Sequence, residues 1–215
     1  MKVKVIRRVI IAVAAVALVG AMALTTKIVK PGDAVPTSGA SNGLLDPKTW
    51  AQDNYESQLV PAIKAKAQPW GTLIAAIVAD PEGAGKQYGQ REEGANNYSY
   101  STSIAGTLAE GEFGEVAVTT DDTPAGVTVG MVVGPAISGS AVRDASGLLK
   151  FGMFTNQTDY QQAGAEINNM VKKVTLASFD ATASLGKKFT IIGAFTWDPA
   201  KSHASIVPVS IEAAS

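Results

Sequence analysis

Cysteine is absent from this chain of 215 residues, and histidine occurs once, at His203. The first absence removes disulfides, zinc–thiolate sites and iron–sulfur clusters together. The second removes any metal site built from several imidazoles. No cofactor is expected. Charge is also scarce, at 17% of residues, with 18 basic against 19 acidic side chains. That near balance hides an asymmetry. Lys2, Lys4, Arg7 and Arg8 all precede the first long apolar run, and without them 14 basic residues face 19 acidic ones. A mildly acidic body of this kind offers no basic surface to nucleic acid.

Catalytic patterns are missing too. No Gly-x-Ser-x-Gly elbow accompanies His203, and Ser138-Gly139-Ser140 does not supply one. The stretch 80–89 has Gly83, Gly85 and Lys86 but lacks the first glycine and the Ser/Thr of a phosphate loop. Glu110, Glu112 and Glu115 fall at turn-like spacing in a Gly-rich segment and read as solvated charge. His203, close after Asp198-Pro199, reads as a solvated turn residue. The chain is not expected to be an enzyme.

What is present begins with the leader. Residues Val9 to Leu24 carry no charged or strongly polar side chain, behind a basic start. A helix of that length spans about 24 Å. The hydrocarbon core of a bilayer is about 30 Å, so the run is short for a permanent span and long for a signal peptide. Ala21-Met22-Ala23 has the small-x-small pattern of a cleavage site, and Arg7-Arg8 faintly resembles a twin-arginine signal. Residues 1–26 are read as a signal peptide or membrane anchor, with the body on the far side of the membrane. Both fates stay open. Residues 27–45 are rich in Gly, Pro, Ser and Thr and read as a flexible tether.

The body divides by period. Residues 46–95 have helical spacing: Asp46-Pro47 is a start signal, Pro61 is expected to kink or split the first helix, and two further short helices follow. Trp50, Leu59, Leu73, Ile74 and Ile77 are the expected core of a small helical subdomain. From residue 96 the pattern alternates, with Tyr98, Tyr100, Ile104, Val116 and Val118 as inward positions and a hairpin turn over Asp121–Gly126. A helix carrying Tyr160, Ala163, Ile167, Met170 and Val171 on one side precedes a closing pair of strands. Pro208 in the last strand requires an edge or a bulge. The fold class expected is α+β: a helical subdomain joined to an OB-like antiparallel barrel (96–215) with an inserted helix.

The densest stretch is 134–160. It brings together Gly134-Pro135, Gly139, Arg143-Asp144, Phe154, Asn156-Gln157 and Tyr160. With Lys27-Ile28-Val29, residues 80–89, 186–195 and the terminal 206–209, this combination resembles the bacterial predicted periplasmic lipoprotein family, a domain of unknown function. The resemblance implies an exported, periplasmic protein with a helical subdomain and an OB-like barrel. It also implies an accessory role beside a sugar ABC transporter. The lipidated cysteine of the family is replaced here by Thr25-Thr26, so either an uncleaved Val9–Leu24 helix attaches the protein to the membrane or the protein is released after Ala23.

Arg143, Asp144, Asn156, Gln157 and Tyr160 are the candidate binding residues, because such side chains recognise sugar hydroxyls by planar, paired hydrogen bonds. Tyr160 or Trp197 would give a sugar its aromatic platform. A structural role competes with that reading. In a strand Arg143 and Asp144 would face opposite sides, whereas in a turn they brace the loop, and Asn156 would cap the helix. Two functions follow: an accessory protein docking on a transporter through protein contact, or a small carbohydrate-binding module.

Overall fold

A closed five-stranded barrel dominates the computed structural model, which describes residues 44–214. The apolar leader Val9–Leu24 and nearly all of the tether lie outside the described residues. The barrel strands are β1 (Ser99–Ala109), β2 (Glu115–Thr119), β3 (Thr128–Val132), β4 (Lys188–Thr196) and β5 (His203–Ala213). They pair in the order β1-β2-β3-β5-β4, and β4 returns to β1 to close the ring. Among these five, β3 and β5 alone pair in parallel. This is the OB arrangement expected from the alternating half of the sequence.

The length of β1 makes closure feasible. Its first part pairs Tyr100 with Phe195 of β4, and its last part pairs Leu108 with Val118 of β2. Tyr100, Ile104 and Leu108 meet Val116, Val118, Val129, Met131, Ile191, Phe195, Ala204 and Ile206 inside. Tyr100 stacks on Phe195, with ring centres 5.5 Å apart, and Trp70 meets Phe195 edge-on at 5.8 Å. Pro208 sits opposite Gly193 at a register shift, so β5 tolerates it by a bulge. Tyr98 falls just before β1 and is half-buried at the margin of this cluster, its hydroxyl donating to Glu82 Oε1 at 3.1 Å.

Before the barrel come α1 (Pro47–Asn54), a π-helical turn (Tyr55–Leu59), α2 (Val60–Lys66), α3 (Trp70–Ala79) and α4 (Pro81–Tyr88). Asp46 caps α1, accepting from the Thr49 N–H at 2.7 Å. Pro61 neither breaks nor stops the helix. A proline ring collides with the carbonyl four residues back, and the wide turn just ahead absorbs this, the Val60 N–H bonding to Tyr55 O instead. The apolar residues of these helices divide between two clusters. Leu73, Ile74 and Ile77 of α3 join the barrel interior. Leu59 and Ile63 pack with α6 on the outer side of β4 and β5, where Trp50 is only partly buried.

Between β3 and β4 lie α5 (Ala141–Ser146), α6 (Gln157–Met170), a second π-helical turn (Val171–Thr175) and α7 (Ala181–Ser184). Tyr160, Ala163, Ile167 and Val171 form the buried stripe of α6 as its periodicity predicts, with Met170 at the margin.

Candidate functional site

Of the five residues singled out in 134–160, Arg143, Asp144 and Tyr160 form one structural unit, and Asn156 and Gln157 stand apart from it. Arg143 and Asp144 stand on α5, a short helix ended by left-handed Gly147. On a helix the long arginine side chain folds back on its neighbour. Its Nε donates to Asp144 Oδ1 at 2.8 Å, Nη2 lies 2.7 Å from the same oxygen, and Nη1 donates to Tyr160 O at 2.7 Å. The guanidinium also lies 3.6 Å from the centre of the Tyr160 ring. Arg143 is 7% exposed and Tyr160 5%. Burial pushes the Tyr160 hydroxyl up to about 12. Nε, Nη1 and Nη2 of Arg143 are each engaged by protein, although the residue still borders a surface hollow, and the ring beneath it offers no platform. Trp197, 6% exposed in the barrel cluster, offers none either.

Asn156 caps α6, its Oδ1 accepting from the Asp159 N–H at 2.9 Å. Gln157 is exposed and borders a hollow of about 470 Å³ shared with Gln161, Asn168 and Ser140. The brace reaches beyond itself. Ser140 Oγ donates to Asp144 Oδ2 at 2.6 Å, and Asn168 Nδ2 donates to Ile137 O and Gly139 O at 3.3 and 2.9 Å. Loop 136–140 is thus pinned from both helices.

A second constellation lies on the outer face of β2, β3 and β5, and two expectations are corrected there. His203 is not a free turn residue but the first residue of β5. Its Nδ1 lies 2.7 Å from Thr128 Oγ1 and its Nε2 2.9 Å from Glu115 Oε2. Glu115 is not solvated: its side chain is 16% exposed, against 37% for His203. The register explains the convergence. Thr128 pairs with His203, Gly130 with Ser205, and Ala117 with Gly130. Alternate residues of these strands point outward, so Ala117, Gly130 and Ser205 make a shallow floor. A Cβ at Gly130 would fall 2.1 Å from Glu115 Oε2. The missing side chain is what lets Glu115 lie diagonally across β3 to reach His203.

Above that floor stands Phe113, 99% exposed, in the β1–β2 turn. Its φ is 56° and that of Gly114 is 82°, with the Glu115 N–H bonded to Glu112 O at 3.1 Å. Both central residues are left-handed, the pattern of a type I′ turn. Asn, Asp or Gly suit the first of these positions. A phenylalanine there costs about 1–2 kcal/mol, and being exposed it regains nothing by burial. The turn is held in place by the Val133 N–H, which donates to Gly114 O at 2.9 Å. Sequence reading passed over Phe113, although an aromatic residue between Glu112 and Gly114 in a two-strand turn has no route to the core. That was the available signal.

Two hollows flank the ring. One, of about 490 Å³, is lined by Glu112, Ala117, Thr128, Gly130 and His203. The other, of about 260 Å³, is lined by Ser138, Gly139, Ser140, Thr196 and Val207. Phe113, Glu115 and Ser205 border both, and neither lining contains a lysine or an arginine. Thr128, His203 and Glu115 stand in the order hydroxyl, imidazole, carboxylate. The Thr128 N–H, the nearest backbone donor for an oxyanion at that hydroxyl, already donates to Ser202 O at 3.0 Å.

The model of the predicted periplasmic lipoprotein family (DUF2291) matches residues 11–212. Among solved structures, an OB-fold protein from Thermotoga maritima superimposes with a TM-score of 0.65 at 18% identity, covering 79% of this chain and 99% of its own. At that identity the likeness concerns the fold. No curated protein matches the chain.

Proposed function

We propose that this chain, which belongs to the predicted periplasmic lipoprotein family and works outside the cytoplasm, is a non-catalytic binding module that takes carbohydrate on the outer face of β2, β3 and β5. One observation carries the reading: a fully exposed phenylalanine is held in a strained turn above a floor of small residues and a fixed Glu115–His203–Thr128 cluster. A sugar ring stacks its C–H face on an aromatic ring and offers its hydroxyls to a paired carboxylate and imidazole. This is also the face on which OB barrels receive oligosaccharides and oligonucleotides. Glu112 and Glu115, with no cation in the lining, disfavour the polyanion and favour the glycan.

Titration calorimetry of the full-length protein against neutral sugars tests this. Saturable heat is expected, weakened tenfold or more in Phe113→Ala. No heat with any sugar defeats the reading. Docking onto a sugar ABC transporter is the second reading, and the same residue favours it, because exposed aromatics anchor protein interfaces. Co-purification of transporter components that is lost in Phe113→Ala, with no sugar heat, would establish docking instead.

A further inference from the structure

Resting on that carbohydrate reading, we infer that the site is a saddle for an extended, uncharged or cationic glycan that crosses Phe113 with one sugar unit in each hollow. A single ligand pocket ordinarily occupies about 300 Å³ or more. The hollow beside loop 136–140 measures about 260 Å³ and falls short alone. Joined across Phe113 to the neighbouring 490 Å³, it does not.

The two sides differ in chemistry. The larger hollow presents the His203–Glu115 pair above Ala117 and Gly130. The smaller presents the hydroxyls of Ser138, Ser140 and Thr196. Glu115 and Ser205 border both and can hydrogen-bond successive units of one chain. An acidic glycan would bring its carboxylates against Glu112 and Glu115 with no lysine or arginine in either lining to meet them.

This assigns a role to the dense stretch 134–160. Arg143 does not touch the ligand. It holds Asp144, which holds Ser140, while Asn168 holds the carbonyls of Ile137 and Gly139. Arg143, Asp144 and Asn168 are positioning residues for the wall of the smaller hollow.

Calorimetry with maltodextrin and chitooligosaccharide ladders, from the monosaccharide to the hexamer, reads the inference directly. Affinity is expected to rise tenfold or more between monomer and trimer in at least one ladder and then level off. Ser138 is exposed on loop 136–140, so Ser138→Trp fills the smaller hollow without entering the core. It is expected to reduce trimer affinity to that of the monomer. Monomer and trimer binding equally well overturns the saddle and leaves the carbohydrate reading standing. Oligogalacturonate binding as tightly as the neutral ladders overturns the charge assignment. Silence with every sugar overturns both. Sedimentation with isolated cell-wall sacculi in a parallel arm shows whether the chain recognised is an envelope polysaccharide or a free oligosaccharide.

Discussion

At Phe113 the demands of stability and of the proposed binding oppose one another. Its left-handed backbone opposes the fold, and its ring touches solvent. Phe113→Asn is expected to raise stability by about 1 kcal/mol in urea unfolding, since asparagine tolerates this conformation, while weakening sugar binding tenfold or more. Gly130→Ala acts in the opposite sense. Its Cβ occupies the place of the Glu115 carboxylate, so the contact with His203 breaks. The His203 ring resonances should shift by NMR while the fold persists. Arg143 belongs to another class. Removing it leaves the partly buried Asp144 without its cation, a loss of about 3 kcal/mol, the low end for buried pairs. Arg143→Ala is therefore expected to lower the urea midpoint strongly, and whatever folds should keep monosaccharide binding.

At the scale of elements, much was legible and the exceptions are instructive. Asp46-Pro47, the stripe on α6, the Asn156 cap and the Asp121–Gly126 turn all follow from local chemistry that acts within a few residues. Asn156→Ala should cost about 1 kcal/mol, the usual worth of such a cap, measurable by thermal unfolding. Pro61 was legible as a perturbation but not in its outcome, because a π-helical turn depends on how Tyr55 and Leu59 are drawn into the core. For Arg143 and Asp144 the sequence left opposed side chains on a strand beside a brace in a turn, and on the short helix α5 the longer side chain wraps its neighbour. His203 and Glu115 lie 88 residues apart in sequence. Neither carries a motif, and only the parallel alignment of β3 with β5 brings them within reach.

For the molecule as a whole, burial is what pH tests. It pushes the hydroxyls of Tyr55, Tyr100 and Tyr160 up to about 12 each, above the value of about 10 for an unfolded tyrosine. The folded state holds these protons more tightly. Their contribution is complete below about pH 10 and is lost as pH rises through about 12. The urea midpoint should fall across that window, and less so in Tyr55→Phe.

The strand order also sets when the barrel can close. β5 is made last among the barrel strands, yet it fills the gap between β3 and β4. Until residues 203–213 have been synthesised, those two strands have no neighbour on one side and the interior stays open. A chain that lacks this strand therefore cannot close the barrel, and removal of residues 203–213 is expected to leave the interior residues of β3 and β4 in contact with water.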